Sequence, residues 1–183
     1  RIPAGADAMG PDNILAFTPG LLTGTSAQFS GRWMVSGKSP LTGGWGDANC
    51  GGNFSPAIKN AGYDAILVSG ISKKPVVLSV IEGDAKLEPA GDLWGMDAID
   101  AEKKMLEQAD HKRARACVIG TAGEKGSKIA GIVNDGGRIA ARSGLGGVMG
   151  SKKLKGIVLA GKNKIAVADR DAMKAANGRF MEW

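Results

Sequence analysis

Glycine is the residue that most restricts what this chain can fold into, since 29 of its 183 residues are glycine. The glycines are spread through apolar segments and are not gathered into one linker. A residue without Cβ lets the backbone adopt positive φ or come very close to another group. The sequence therefore predicts many tight turns, or a backbone that closely approaches a ligand.

Charge and cysteine content narrow the class of protein. The formal net charge of +6 and the pI near 9.4 favour an anionic partner, or else mark one basic part of a larger, more balanced chain. Aromatic residues make up 5%, which argues against the stacking of single-stranded bases. Cys50 and Cys117 form no paired motif, so we expect a reducing cytoplasm with neither disulfides nor a zinc site. No apolar stretch reaches 18 residues, so no membrane span is expected.

Hydrophobic patterning predicts short strands mixed with a few helices. The expected strands are 13–18, 31–36, 64–70, 75–81, 114–119 and 155–160. The expected helices are 56–61, capped by Ser55 and ended by Gly62, then 97–109, and a last helix that starts at Asp169. Because strands and helices do not alternate regularly, the sequence predicts an α+β fold and not a doubly wound sheet.

A weak internal repeat divides the chain into two halves. The first half carries Gly51-Gly52, Ser55, Lys59, Gly62 and a strand that ends at Gly70. The second half carries Gly146-Gly147, Gly150-Ser151-Lys152, Lys155-Gly156 and a strand that ends at Gly161. An arginine lies upstream in each half: Arg32 in the first, Arg138 or Arg142 in the second. This order predicts two similar structural units with two similar binding surfaces.

Side chains for catalysis are few. His111 is the only histidine and lies in a charged segment, where a solvated surface residue is expected. A nucleophilic triad and a three-histidine metal site are therefore excluded. Asp47, Asp64 and Asp135 stand beside or near glycines, as is typical of turns. We expect no catalytic residue in this chain, so that a cofactor must supply any chemistry.

Three segments suit the binding of anions. Arg32 opens a predicted strand, and the loop 47–52 offers backbone amides beside two glycines. Arg138 and Arg142 precede a glycine-rich turn and a possible helix start, where amide donors and the helix dipole favour anions. The alternative for these two arginines is a pair of exposed charges with no ligand. The spacing matches neither a dinucleotide-binding loop nor a phosphate-binding loop of the Walker type.

Four stretches, taken in order, resemble the N-terminal domain of the aldehyde ferredoxin oxidoreductase family. The most specific runs are KSPLTG with the following NCGG, and VMGSKKLK. The four stretches are 20–52, 58–70, the weaker 93–95 and 119–161. The resemblance implies an α+β fold of duplicated β-rich units, related by a pseudo-twofold, whose two sheets sandwich a bis-pterin cofactor. It further implies that the four dithiolene sulfurs of this pyranopterin pair bind one tungsten or molybdenum.

The resemblance also assigns binding residues. It places Arg32, Asn49 and Gly51 against one pterin, and Arg138, Ile139, Ala141 and Arg142 against the other. The backbone carbonyls of Asn49 and Ile139 would hold a Mg²⁺ that bridges the two pterin phosphates. The family usually has alanine at the position of Ile139 and glycine at that of Ala141. The methyl group of Ala141 is added where the resemblance implies that the backbone approaches the cofactor.

For the whole protein, the resemblance implies that residues 1–168 form the pterin-binding domain, shortened at its start, and that 169–183 begin a helical domain. It implies oxidation of aldehydes to carboxylic acids, with electrons passing through a [4Fe-4S] cluster, whose ligands lie in later domains, to ferredoxin. This chain alone is expected to be inactive, and either cofactor-free or associated through its binding face. Expected partners are ferredoxin, a small aldehyde, the remaining domains and a possible homo-oligomer, with neither nucleic acid nor membrane. Alternatives are another reaction in the same family, such as aromatic thioester reduction, and a basic nucleotide- or nucleic-acid-binding module.

Overall fold

The computed structural model describes residues 2–182, which form a mixture of strands and helices, as predicted for an α+β protein. The strands are β1 (Leu15–Pro19), β2 (Trp33–Lys38), β3 (Trp45–Cys50), β4 (Ile66–Val68), β5 (Val76–Ile81), β6 (Asp84–Pro89), β7 (Arg115–Val118), β8 (Ile132–Asn134), β9 (Arg138–Ala140) and β10 (Leu154–Ala160). The helices are α1 (Phe54–Asn60), α2 (Ala98–Ala109), α3 (Thr121–Glu124), α4 (Leu145–Ser151) and α5 (Arg170–Met181). Four of these strands, β3, β6, β8 and β9, were not predicted.

The strands form two sheets. The first sheet has the order β3-β2-β1-β4, and all of its pairs are antiparallel. The second has the order β6-β5-β10-β7-β8-β9, in which only β5 and β10 are parallel. The run β1-β2-β3-α1-β4 and the run β7-β8-β9-α4-β10 therefore connect their strands in the same spatial order. Their arginines do not occupy equivalent strands, however, because Arg32 precedes β2 whereas Arg138 begins β9.

The space between the two sheets is filled by the main hydrophobic core. Helices α1 and α4 lie in it and contact strands of both sheets, and Phe17, Trp33, Phe54 and Ile157 are among its fully buried side chains. A second cluster packs α2, through Met105, against the other face of the second sheet. The core therefore occupies the space between the sheets, and α2 covers the outer face of the second sheet.

The glycines of α4 allow close packing of one backbone on another. A Cβ atom on Gly146 would lie 2.3 Å from the carbonyl oxygen of Gly131, and one on Gly150 would lie 1.9 Å from that of Gly123. The N–H of Gly146 donates to the carbonyl of Ala130 at 3.0 Å, and the start of the helix is buried. The predicted anion site at this helix start is therefore wrong, because its amides face protein and not solvent.

Two local predictions also differ from the structure. Ser55 does not cap α1, which begins at Phe54, and its hydroxyl donates instead to the carbonyl of Arg32 at 3.0 Å. His111 is not a free surface residue, because it is half-buried with Nε2 at 3.1 Å from a carboxylate oxygen of Glu82. Gly62 follows α1 with φ of +95°, as expected for a helix end. Within residues 2–182, no helix has both the length and the apolar character needed to cross a membrane.

Candidate functional site

The two sheets meet along a seam formed by β3, β9 and the residues at their ends. Both strands lie at the edge of their own sheet, and they pack against each other. The residues proposed from the sequence lie along this seam, and all are exposed except Gly51, which is partly buried. They are Arg32 just before β2, Asn49 in β3, Gly51 just after it, Arg138 and Ile139 in β9, and Ala141 and Arg142 just after β9.

Two guanidinium groups, one from each sheet, converge at Gly51. A Cβ atom on Gly51 would lie 3.7 Å from Nη1 of Arg138 and 3.8 Å from Nη1 of Arg32. Nε of Arg32 donates to Oδ1 of Asn49 at 2.9 Å, Nη2 donates to the same oxygen, and the carbonyl oxygen of Asn49 lies 3.5 Å from Nη2. In the part of the chain that the structure describes, neither arginine forms an ion pair. Two like charges held this way are suited to an anion that contacts both.

A buried polar network joins the two sides of the seam. Asn134 is fully buried, and its Nδ2 donates to the carbonyl of Gly51 at 3.1 Å and to Oδ2 of Asp135 at 2.8 Å. Its Oδ1 accepts from the thiol of Cys50 at 3.2 Å. Asp135 in turn accepts the N–H of Asn53 at 2.5 Å. The turn between β8 and β9 is thereby attached to the turn between β3 and α1.

Two observations show why position 52 is occupied by glycine. Its φ is +109°, and a Cβ atom there would lie 1.9 Å from Oδ2 of Asp135. Beside it, burial raises the pKa of the Cys50 thiol, although the charges of Arg32 and Arg138 act in the opposite direction. Cys50 therefore remains a neutral thiol that donates to Asn134.

Glu102 holds the β8–β9 turn through a hydrogen bond to its backbone. It lies on α2 with 5% of its surface exposed, and its Oε2 accepts the N–H of Gly136 at 2.9 Å. Burial raises the pKa of the Glu102 carboxyl, while the N–H groups of Gly136 and Asp135 lower it. Sequence reasoning missed this contact, because it depends on how α2 lies against the second sheet.

Ile139, Ala141 and Arg142 extend the seam beyond the arginine pair. Ile139 is 52% exposed, and Arg142 has φ of +82°. The side chains of Ile139 and Ala141 are apolar, and that of Arg142 forms no ion pair within residues 2–182. The segment is attached to β3 through Ser143, whose hydroxyl donates to the carbonyl of Asp47. The structure thus places these three residues next to the arginine pair without joining them to it.

The donors of the seam fit phosphate groups better than they fit a bare metal ion. The two guanidinium groups beside Gly51 present positive charge to an anion. A Mg²⁺ ion prefers oxygen ligands in octahedral geometry. The structure holds no group of three or more His, Cys, Asp or Glu side chains in residues 2–182 that could bind a metal. The carbonyl of Asn49 also faces Arg32, so a cation fits there only when phosphate oxygens complete its coordination and separate it from the guanidinium.

Comparisons with known proteins point to one family. The N-terminal domain of aldehyde ferredoxin oxidoreductase matches residues 1–161. The chain is 44% identical over 165 residues to a tungsten-containing aldehyde ferredoxin oxidoreductase of Thermococcus kodakarensis, a match that covers 90% of the chain and 27% of the relative. The corresponding enzyme of Pyrococcus abyssi is 42% identical over 176 residues, covering 96% of the chain and 28% of the relative. An aliphatic sulfonate oxidoreductase, WOR-like subunit, of Pyrococcus furiosus is 29% identical, covering 95% of the chain and 30% of the relative.

A solved structure has the same fold. The active-site complex BamBC of benzoyl coenzyme A reductase, in complex with 1,5-dienoyl-CoA, superimposes with a TM-score of 0.96 at 32% identity. This match covers 100% of the chain and 28% of that structure. The chain therefore spans little more than a quarter of the length of these two aldehyde ferredoxin oxidoreductases and of this structure.

Proposed function

Since the chain belongs to the aldehyde ferredoxin oxidoreductase family, we propose that it is the cofactor-binding part of a tungsten- or molybdenum-pterin oxidoreductase. The observation that carries the proposal is the convergence of Arg32 and Arg138 at Gly51. Two guanidinium groups from different sheets, with no ion-pair partner in residues 2–182, suit the two phosphate groups of a paired pterin.

The residues of the seam would bind and orient the cofactor and exclude water from its phosphates. In this proposal Arg32, Asn49 and Gly51 serve one pterin. Arg138, Ile139, Ala141 and Arg142 serve the other. The backbone carbonyls of Asn49 and Ile139 provide the protein ligands of a bridging Mg²⁺. The metal of the bound cofactor supplies the redox chemistry.

We also infer that the two runs of elements form duplicated units related by a pseudo-twofold. Their identical strand order supports this, and so does their reciprocal packing. Helix α1 of the first run contacts β7 and β10 of the second, while α4 of the second contacts β1, β2 and β3 of the first. Each unit would then present one pterin to the seam.

For the complete protein, we propose oxidation of aldehydes to carboxylic acids, with electrons passed through a [4Fe-4S] cluster to ferredoxin. The names of the 42–44% identical relatives support this. The fit to BamBC supports a second candidate, the reduction of an aromatic thioester on the same cofactor. Residues outside this chain would decide between the two. We further propose that residues 1–168 form the cofactor domain, that 169–183 begin a helical domain, and that the protein works in the cytoplasm.

The test measures cofactor in the longest natural form of the protein, purified anaerobically from its own host. Tungsten and molybdenum are quantified by elemental analysis, and pterin by the fluorescence of its oxidised form. We expect about two pterins per metal in the wild type. Arg32→Ala and Arg138→Ala should each weaken retention roughly 10- to 100-fold, since a charge-assisted hydrogen bond contributes about 1.5–3 kcal/mol.

Arg179→Ala is the matched control, because Arg179 is an exposed arginine in α5, away from the seam. It should retain cofactor as the wild type does. A wild-type protein without pterin or heavy metal would refute the proposed function. Equal retention in Arg32→Ala, Arg138→Ala and Arg179→Ala would refute the assignment of the seam.

A further inference from the structure

The turn that precedes Arg138 is closed by a long backbone hydrogen bond, from the N–H of Gly137 to the carbonyl oxygen of Asn134 at 3.3 Å, and its residues adopt an uncommon backbone conformation. Asp135, Gly136 and Gly137 all have positive φ, at +48°, +67° and +138°. The strands on either side, β8 and β9, have three residues each, and β9 is an edge strand. The position of Arg138 therefore depends on contacts that hold this turn from outside.

One such contact comes from α2. Glu102 lies on a 12-residue helix that packs on the second sheet through Met105, and its Oε2 accepts the N–H of Gly136 at 2.9 Å. Glu102 forms no ion pair in the described part of the chain. A carboxylate that is buried without a cation is costly to keep ionised. Stability alone does not account for an acid at this position.

The other contact comes from the first sheet. Asp135 accepts the N–H of Asn53, which precedes α1, at 2.5 Å. Two residues further on, the hydroxyl of Ser55 donates to the carbonyl of Arg32 at 3.0 Å. The turn is thus attached to α2 through Glu102, and to the residue that precedes α1 through Asp135. Ser55 then links α1 to Arg32, the arginine that faces Arg138.

We propose that Glu102 is a positioning residue of the cofactor site, and that it holds the 135–137 turn so that Arg138 lies opposite Arg32. The inference rests on the proposed function of the seam. A carboxylate suits this role because both of its oxygens accept hydrogen bonds. The N–H groups of Gly136 and Asp135 both favour its ionised form, and so lower the Glu102 pKa against the effect of burial. An amide offers one acceptor only and would set its NH₂ group against an N–H.

The experiment compares Glu102→Gln with Glu107→Gln in the longest natural form of the protein. Glu107 lies on the same helix but is exposed, so it controls for the loss of one charge. Amide hydrogen exchange of 134–138 should become at least tenfold faster in Glu102→Gln and stay unchanged in Glu107→Gln. The rate at which pterin is released should rise severalfold in Glu102→Gln, at a melting temperature no lower than that of the wild type.

A double variant separates positioning through Arg138 from a general structural effect. If Glu102 acts through Arg138, then Glu102→Gln adds little to pterin release once Arg138→Ala is present. Fully additive effects, or unchanged exchange at 134–138, would overturn the inference. Should Glu102→Gln fail to fold, Asp135→Asn acts on the same turn from the other side and is read in the same way. If wild-type protein lacks pterin, the proposed function fails, whereas the exchange measurement still decides whether Glu102 holds the turn.

Discussion

Replacement of Gly150 by alanine tests whether the glycine content of this chain serves backbone packing. A Cβ atom at this position would lie 1.9 Å from the carbonyl oxygen of Gly123, 2.6 Å from its carbonyl carbon and 3.1 Å from Cα of Glu124. All three atoms belong to the backbone, so no side chain can rotate to make room. Helices α3 and α4 would have to separate by roughly 1 Å, in an interior that is packed as densely as a crystal.

The expected magnitude follows from two opposing effects. Alanine is favoured over glycine inside a helix by about 0.5–1 kcal/mol. Overpacking costs about 1–3 kcal/mol, and a backbone obstacle places Gly150→Ala at the upper end. We therefore expect a net loss of about 2 kcal/mol in the free energy of unfolding. With a urea slope of about 2 kcal/mol/M, the unfolding midpoint should fall by about 1 M.

The assay is urea unfolding of this chain followed by circular dichroism. Gly178→Ala is the matched control, because Gly178 lies inside α5 with no atom within 4 Å of the added methyl group. Its midpoint should stay level or rise. If Gly150→Ala unfolds at the same urea concentration as Gly178→Ala, close packing does not explain the glycines of α4.

Three further predictions concern the core and the seam. Lys155→Met should lower the free energy of unfolding by about 3–5 kcal/mol, because it leaves the buried carboxylate of Glu124 without its cation. The added change Glu124→Gln should recover much of this loss. A double variant as unstable as Lys155→Met would contradict the argument. Burial raises the pKa of the Glu102 carboxyl above its ordinary 4.5. The protonated Glu102 side chain therefore contributes fully to stability below pH 4.5, and this contribution is lost as the pH rises through the higher pKa of the folded protein. Thermal unfolding across this range should shift in favour of Glu102→Gln as pH rises, and a constant difference between the two proteins would refute this. Gly51→Ala should change the free energy of unfolding by less than about 0.5 kcal/mol and should still weaken pterin retention. Gly52→Ala should lower the free energy of unfolding by about 1–3 kcal/mol, because Gly52 has a positive φ. Equal melting temperatures of the two variants would contradict this distinction.

Strands with a buried, β-branched pattern could be predicted from the sequence, and those without one could not. The segment 155–160 is apolar after Lys155 and corresponds to β10, which is buried along its whole length. By contrast, all residues of β6 are exposed, and it contains no β-branched residue and only one large apolar residue, Leu87, so its sequence does not mark it as a strand. β3 contains Gly46, Asp47 and Asn49, which are typical of turns, and it forms a strand only because β2 pairs with it.

The residues of the candidate site also divide into those that could be proposed from the sequence and those that could not. The arginines and Gly51 could be proposed from the order of motifs, because family resemblance fixes positions along the chain. Asn134 and Glu102 could not be proposed, since their roles arise only when α2 and the β8–β9 turn come together. The start of α4 was misjudged because a glycine run that precedes a helix looks the same whether its amides face a phosphate or a neighbouring backbone.

The unequal placement of Arg32 and Arg138 has a consequence for how a symmetric ligand would enter the seam. The guanidinium of Arg32 is oriented in advance by Asn49, whereas the guanidinium of Arg138 makes no side-chain hydrogen bond within residues 2–182. The two ends of a two-phosphate molecule would therefore meet unlike surroundings. Capture at Arg32 would come first, because less conformational entropy is lost there, and Arg138 would close afterwards. A nearly symmetric ligand would thus load in a fixed order, and its two halves would leave at different rates.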